Sequence, residues 1–342
     1  MRSFDPDLID DEPLQDEFSR IDPFHSLLQK SVRRFEGRSP AEVLAGSGQL
    51  NRIRNHKGTC WLLQTSRRGS FGRWPREQAR ADLLNTTSLV YGIRDRTSCQ
   101  LAAAGFADLN SLTRHPRYGD DARRVCECIR TARTPELAQI IRERLSASHP
   151  LHLRLTGLHQ DEDFLFLDLE TMGLFGGQPV IVAGICRISA SNTLELRQFI
   201  CRDYSDEPAL LAAVSREINS SAVLVTFNGR TFDLQFLLQR CAFYGLSLPA
   251  AELHLDLLYF CRRAWGDQLP SCRLNVLEQE ILGTSRDSDL PGELVPEFYE
   301  EWLRTGNPGF LKTIVDHNRQ DVISLVNLLT ALTDYWTQSS GR

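Results

Sequence analysis

The sequence contains no run of about 18 apolar residues, so a membrane span is not expected. None of its nine cysteines, scattered from Cys60 to Cys272, forms a CxxC pair. Their odd number and scatter argue against a disulfide framework or a zinc site, and for reduced thiols in a cytoplasm. The single CxC, Cys126 and Cys128, is a weak metal signal. The opening MRSFDPDLIDDEPLQDEF has no apolar core, so no secretory leader is expected. Internal repeats and low-complexity tracts are absent. Lysine is scarce: of 39 basic residues only Lys30, Lys57 and Lys312 are not arginine. The planar guanidinium suits phosphate contacts, although genomic base composition produces the same bias.

What is present is ordinary globular material, 42% hydrophobic and 24% charged over 342 residues. At about 150 residues per domain, that length suggests two domains. The net charge of -5 conceals an asymmetry. Residues 1–22 hold 2 Arg against 8 Asp/Glu and read as a flexible acidic tail. Residues 23–160 hold 23 Lys/Arg against 11 Asp/Glu, a balance of +12 that would attract phosphate backbones. Residues 161–342 hold 14 against 25, a balance of -11, and such carboxylates can bind divalent cations.

The basic part is expected to be a mainly helical accessory region. Gly58–Gln64 reads as a strand and Arg67–Ser70 as a turn after it. In residues 89–116, turns at Gly92 and Gly105 each precede a helix. This resembles a helix-hairpin-helix module, except that Gly92-Ile93-Arg94 lacks the usual second glycine. The alternative is a packing module with Ile93, Leu101, Phe106 and Leu109 in its core. A further helix is expected over Pro135–Ser146, and His149–Asp163 reads as a linker.

From Asp163 onward strands and helices alternate. Phe164–Leu169, Val180–Ile188 and Leu194–Cys201 are predicted strands. A helix over Glu207–Asn219 precedes a buried strand, Ala222–Phe227. Helices are expected at Thr231–Tyr244, after the strand ending at Asp256, and near Val276–Leu282, Pro296–Arg304 and Pro308–Trp336. Three consecutive strands followed by strand–helix alternation predict an α/β fold with a mixed sheet covered by helices.

Four acids stand at telling places. Asp168 and Glu170 are two apart in FLFLDLET, so an extended strand projects both to one side. Asp233 follows a buried strand in VTFNGRTFD, at the strand end where sheet enzymes place ligands. Asp321 lies on the last helix in HNRQDVISL, and His317, four residues earlier, shares its face. Taken singly, each has an ordinary explanation: a surface acid, a helix cap, a solvated histidine.

Together, DxE on the first strand, N-x3-FD after a later strand and an acid on the final helix resemble the DEDD superfamily of 3′–5′ exonucleases. Those enzymes have the ribonuclease H-like fold. The resemblance covers about residues 161–335. Leu269–Gly283 and Asp289–Pro308, followed by HNRQDVISL, look like the bacterial YprB-type ribonuclease H-like family, which also tends to carry a hairpin-like helical segment upstream. The superfamily is divided by its last motif, Tyr-x3-Asp or His-x4-Asp. Here His317-x3-Asp321 sets histidine at the tyrosine spacing.

The resemblance implies a metal-dependent exonuclease acting on DNA or RNA, with single-stranded 3′ ends as the expected partner. Asp168, Glu170, Asp233 and Asp321 would hold two Mg²⁺ or Mn²⁺ ions, since hard oxygen ligands suit them. His317 would position or deprotonate the attacking water. Asn228 would orient substrate or its loop, and Met172 and Leu174 would wedge against a terminal base or pack in the core. The alternative is a nucleic-acid-binding or scaffold protein with little turnover. Protein partners are not legible.

Overall fold

The computed structural model describes residues 32–339 except 70, 174–176, 285 and 287–289. The expected acidic tail and Leu174 lie outside the described residues. Among the described residues seven strands form one sheet in the order β1-β2-β5-β4-β3-β6-β7. They are β1 Gln49–Asn55, β2 Gly58–Arg68, β3 Phe164–Thr171, β4 Val180–Ser189, β5 Thr193–Ile200, β6 Val223–Thr226 and β7 Leu253–Asp256. β3, β4 and β5 form an antiparallel meander. β6 then pairs parallel to β3, and β7 parallel to β6. A parallel neighbour needs a crossover, supplied by helices whose bounds match the sequence reading closely.

In chain order the helices are α1 Pro40–Ala45, α2 Arg76–Leu84, α3 Asp95–Ala103, α4 Leu109–Leu112, α5 Gly119–Arg130, α6 Thr134–Arg144 and α7 Leu151–Arg154. After the meander come α8 Glu207–Asn219, α9 Asp233–Phe243, α10 Leu257–Trp265, α11 Leu274–Glu280, α12 Val295–Thr305 and α13 Pro308–Ser339. Among the described residues no helix is long and apolar enough to cross a membrane.

Two features depart from the sequence reading. Residues 49–68 are a hairpin of the same sheet, with β2 paired to β5 from Trp61↔Ile200 to Arg68↔Thr193. The sheet therefore crosses the boundary expected at residues 160/161, and in the basic region the hairpin separates helix Pro40–Ala45 from the run of helices that starts at Arg76. Arg67 and Arg68 are strand, not turn, because the β5 edge supplies the partner that their polar side chains do not advertise. Residues 151–159, expected as linker, are all buried. Leu151, Leu153, Leu155 and Leu158 enter the core, Arg154 stacks 4.0 Å over the Trp74 ring, and Trp74 N donates to Thr156 Oγ1 at 3.2 Å. The hairpin-like segment packs through Ile93, Leu101 and Leu109, with Phe106 beside them, and Gly92 takes a left-handed φ of +82°.

β3 separates two apolar clusters. Phe164 and Phe166 enter one, with the α2–α7 helices; Leu165, Leu167 and Leu169 enter the other, with α8, α9 and α12. Helix α13 contributes to both, through Leu311, Ile314 and Val315 to the second and Val322 to Leu332 to the first. The stretch between, His317–Asp321, is where its polar residues meet the end of β3.

Candidate active site

Alternation along β3 puts Asp168 and Glu170 on the side of Phe164 and Phe166. The apolar row thus ends in two carboxylates. Asp168 lies opposite Gly184 of β4, and a Cβ on Gly184 would stand 2.2 Å from Asn318 Oδ1. Glycine there lets α13 approach the sheet. Asn318, fully buried, uses the approach: its Nδ2 donates to Asp168 Oδ2 at 2.8 Å, while its Oδ1 accepts from Gln198 Nε2 at 3.0 Å. Asp233, the first residue of α9, is buried and accepts from Leu169 N at 3.2 Å.

Glu170, His317 and Asp321 each offer a ligand atom, all within 4.8 Å of one another. His317 Nε2 lies 3.9 Å from Glu170 Oε1 and 3.6 Å from Asp321 Oδ2. One helical turn thus presents imidazole and carboxylate together, as their spacing predicts. Arg286 bonds Asp321 and lies 2.5 Å from Glu278, with Nη1 3.3 Å from His317 Nδ1. A guanidinium only donates. An arginine donor at Nδ1 favours the tautomer that carries its proton on Nε2, facing the carboxylates.

Burial, then the neighbouring Asp321, Glu170 and Asp233, pushes the Asp168 carboxyl well above its usual range. Burial also lifts Asp233 to about 7, with Asp256 and Asp321 adding to it against the opposing backbone bonds. Asp321 rises through burial, although His317 and Arg286 oppose it. Burial is the largest cause for all three, and neighbouring carboxylates add to it for Asp168 and Asp233.

A cleft of about 550 Å³ opens onto Asp168 and Asp321, with Phe227, Asn228, Arg262 and Arg273 among its walls. A larger hollow, about 670 Å³, lies between residues 32–38 and α12 and contains none of the four acids. Asn228 lines the cleft, but its Oδ1 accepts from Thr231 Oγ1 at 2.7 Å and its φ is +60°. Asp256 holds that turn, accepting from Asn228 N at 2.8 Å and Arg230 N at 3.0 Å. Met172 packs against the Leu165 cluster and is not among the cleft-lining residues. Cys126 and Cys128 are free thiols, with Cys128 buried.

Sequence reasoning missed Asn318, Asp256, Glu278 and Arg286. Asn318 carried a faint signal, standing three residues before Asp321 and so near its helical face. Asp256 stood at a predicted strand end. Arg286 had none, since its partners come from α11 and α13.

Residues 165–333 match the family model described as the RNase_H superfamily. The "Uncharacterized protein YprB" of Bacillus subtilis (strain 168) is 31% identical over 174 residues, 50% of this chain. The match spans 42% of that protein's length. A family B DNA polymerase from the hyperthermophilic archaeon Pyrobaculum calidifontis aligns over 48% of this chain and 24% of its own, at 16% identity and a TM-score of 0.37. The superfamily match supports a nucleic-acid-related activity, and Glu170, His317 and Asp321 form a cluster that could hold a metal ion. Residues 165–333 thus form an RNase H-like domain.

Proposed function

We propose that this chain is a divalent-cation-dependent 3′–5′ exonuclease of the DEDD type, acting on DNA or RNA. The observation that carries the reading is the convergence of Asp168, Glu170, Asp233 and Asp321, from β3, α9 and α13, beside one open cleft. The donor set fits Mg²⁺ or Mn²⁺. It is made of hard oxygens, and a divalent cation would return the raised carboxyls to their ionised form. Asp168, Glu170, Asp233 and Asp321 would hold two ions. Bound there, such ions activate water and neutralise charge developing on the phosphate.

The chain's own residues do the rest. Asn318 fixes the Asp168 carboxylate. His317 presents Nε2 beside Glu170 and Asp321, where it would hold the attacking water. While Arg286 donates to Nδ1, Nε2 keeps its proton, so His317 orients the water oxygen; taking a proton at Nε2 requires Arg286 to leave Nδ1. Arg262 and Arg273 on the cleft wall would meet the phosphate backbone, and Phe227 offers an apolar surface to a base.

The pairing of Arg286 with Asp321 favours one alternative, a nucleic-acid-binding protein with little turnover. Single strands labelled at the 5′ end, with free or blocked 3′ ends, separate the two. Stepwise shortening of the free strand in Mg²⁺ or Mn²⁺, stopped by chelator or by the 3′ block, is expected. Salt-sensitive binding without shortening would support the alternative, and undiminished hydrolysis in excess chelator would overturn the cation requirement.

A further inference from the structure

Glu278 lies within the Leu269–Gly283 run and none of the proposed chemistry uses it. It is fully buried on α11. A buried carboxylate persists only with partners, and Glu278 has two: it accepts from Ser324 of α13 and lies 2.5 Å from Arg286. Arg286 in turn bonds Asp321 and approaches His317. Ser324, Asp321 and His317 stand on consecutive turns of one helix. The chain Ser324–Glu278–Arg286–Asp321 therefore ties the segment after α11 to the carboxylate cluster. A guanidinium is permanently charged and can bridge two carboxylates at once.

We infer that Arg286 is a positioning residue, an internal counter-cation anchored on Glu278 that holds Asp321 and the His317 ring in place and yields Asp321 when a divalent ion enters. The inference rests on the cation reading of the site. Its anchoring explains why yielding is feasible: released from Asp321, Arg286 keeps a buried partner in Glu278. Its position also sets a sign. A positive charge bonded to a ligand carboxylate repels an incoming cation and competes for the same oxygen, so the intact residue weakens ion binding while stabilising the metal-free site.

The test is Mn²⁺ affinity by titration calorimetry on the full chain, with the melting midpoint of the metal-free protein measured alongside. Arg286→Gln should bind Mn²⁺ about tenfold more tightly than wild type and should melt several degrees lower without metal, about the shift expected when one buried charge loses its partner. Arg286→Lys keeps the charge and should stay within about threefold of wild-type affinity. If Arg286→Gln does not fold, Glu278→Gln/Arg286→Gln removes both charges of the anchor and should show the same tighter binding. Wild-type affinity in the charge-removing variants would overturn the inference while leaving the cation reading intact. No Mn²⁺ bound by wild type or variant would overturn both.

Discussion

Two buried acidic assemblies sit on the same sheet and are built on opposite principles. Glu207, fully buried on α8, accepts from Arg240 Nε at 2.7 Å, Tyr244 Oη at 2.8 Å and Val180 N at 2.9 Å. Arg240 also donates to Gly177 O at 3.0 Å. One carboxylate meets one guanidinium, and the remaining lone pairs are filled by neutral donors. At the end of β3, Asp168, Glu170, Asp233 and Asp321 crowd together, and three of them are pushed toward their protonated forms. The first assembly ties α8 and α9 to the segment entering β4. The second buries carboxyls with too few partners to hold them ionised, and perturbed acids gathered beside a cleft make a candidate functional site.

The comparison breaks most visibly if one carboxylate is removed from each assembly. Asp168→Ala should cut hydrolysis by at least about 10³-fold, the scale of losing a principal electrostatic stabiliser. It should leave the folded protein as stable as before, because it relieves repulsion. Glu207→Ala should do the reverse. It strands Arg240 in the interior, at a cost of about 3–5 kcal/mol, while protein that remains folded keeps its turnover. Rates on a labelled strand and urea midpoints for both variants check this. An active Asp168→Ala enzyme would dissolve the contrast.

His317 sharpens the functional side. Replaced by alanine, it should lower turnover by about 10²-fold or more, the lower range for a positioned acid–base group, and Mn²⁺ should still bind because four carboxylates remain. Single-turnover rates are the measurement. A loss below about threefold, worth only ~0.65 kcal/mol of barrier, would make His317 a packing residue.

The excess charge should also be readable as pH dependence without any substrate. Asp233 titrates near 7 in the folded, metal-free chain, against about 3.9 when unfolded. A carboxyl raised in this way stabilises the fold fully below its unfolded value, and the contribution is lost as pH rises through about 7. Asp233→Asn has nothing to lose there. The melting midpoint of metal-free wild type should therefore fall relative to Asp233→Asn between about pH 4 and 7, and saturating Mg²⁺ should flatten the difference. Parallel curves without metal would mean that Asp233 is not held near neutrality.

Legibility in the sequence followed how local each feature is. Alternation in FLFLDLET displays both the strand and the side on which its acids emerge, and the i,i+4 relation of His317 and Asp321 needs only one helix. The three raised carboxyls occupy positions that local pattern singled out. The outer hairpin was half legible: Gly58–Gln64 is apolar enough to be read, whereas QLNRIRN of β1 is half exposed and becomes strand through pairing with β2. Residues 151–159 are short and polar-interrupted, and their burial depends on Trp74 and Asp82, about 80 positions earlier. Glu278 and Arg286 have meaning only as a pair brought against α13.

The smallest expected effect concerns the basic half. The shared sheet makes removal of residues 23–160 a poor test, because it would strip β2 from β5 and expose an edge. Charge substitution leaves the sheet intact. Arg94 and Arg96 are exposed at the start of α3, beside the left-handed Gly92, where a hairpin-like module would meet phosphate. Arg94→Ala/Arg96→Ala should weaken single-strand binding a few-fold. It should also reduce the slope of log affinity against log salt by about 0.7 for each phosphate that is no longer neutralised. Turnover at saturating substrate should not change, since neither residue lines the cleft that opens onto Asp168 and Asp321. A slope equal to wild type would move the binding surface away from this turn, toward Arg262 and Arg273 on the cleft wall, whose substitution would then carry the salt dependence.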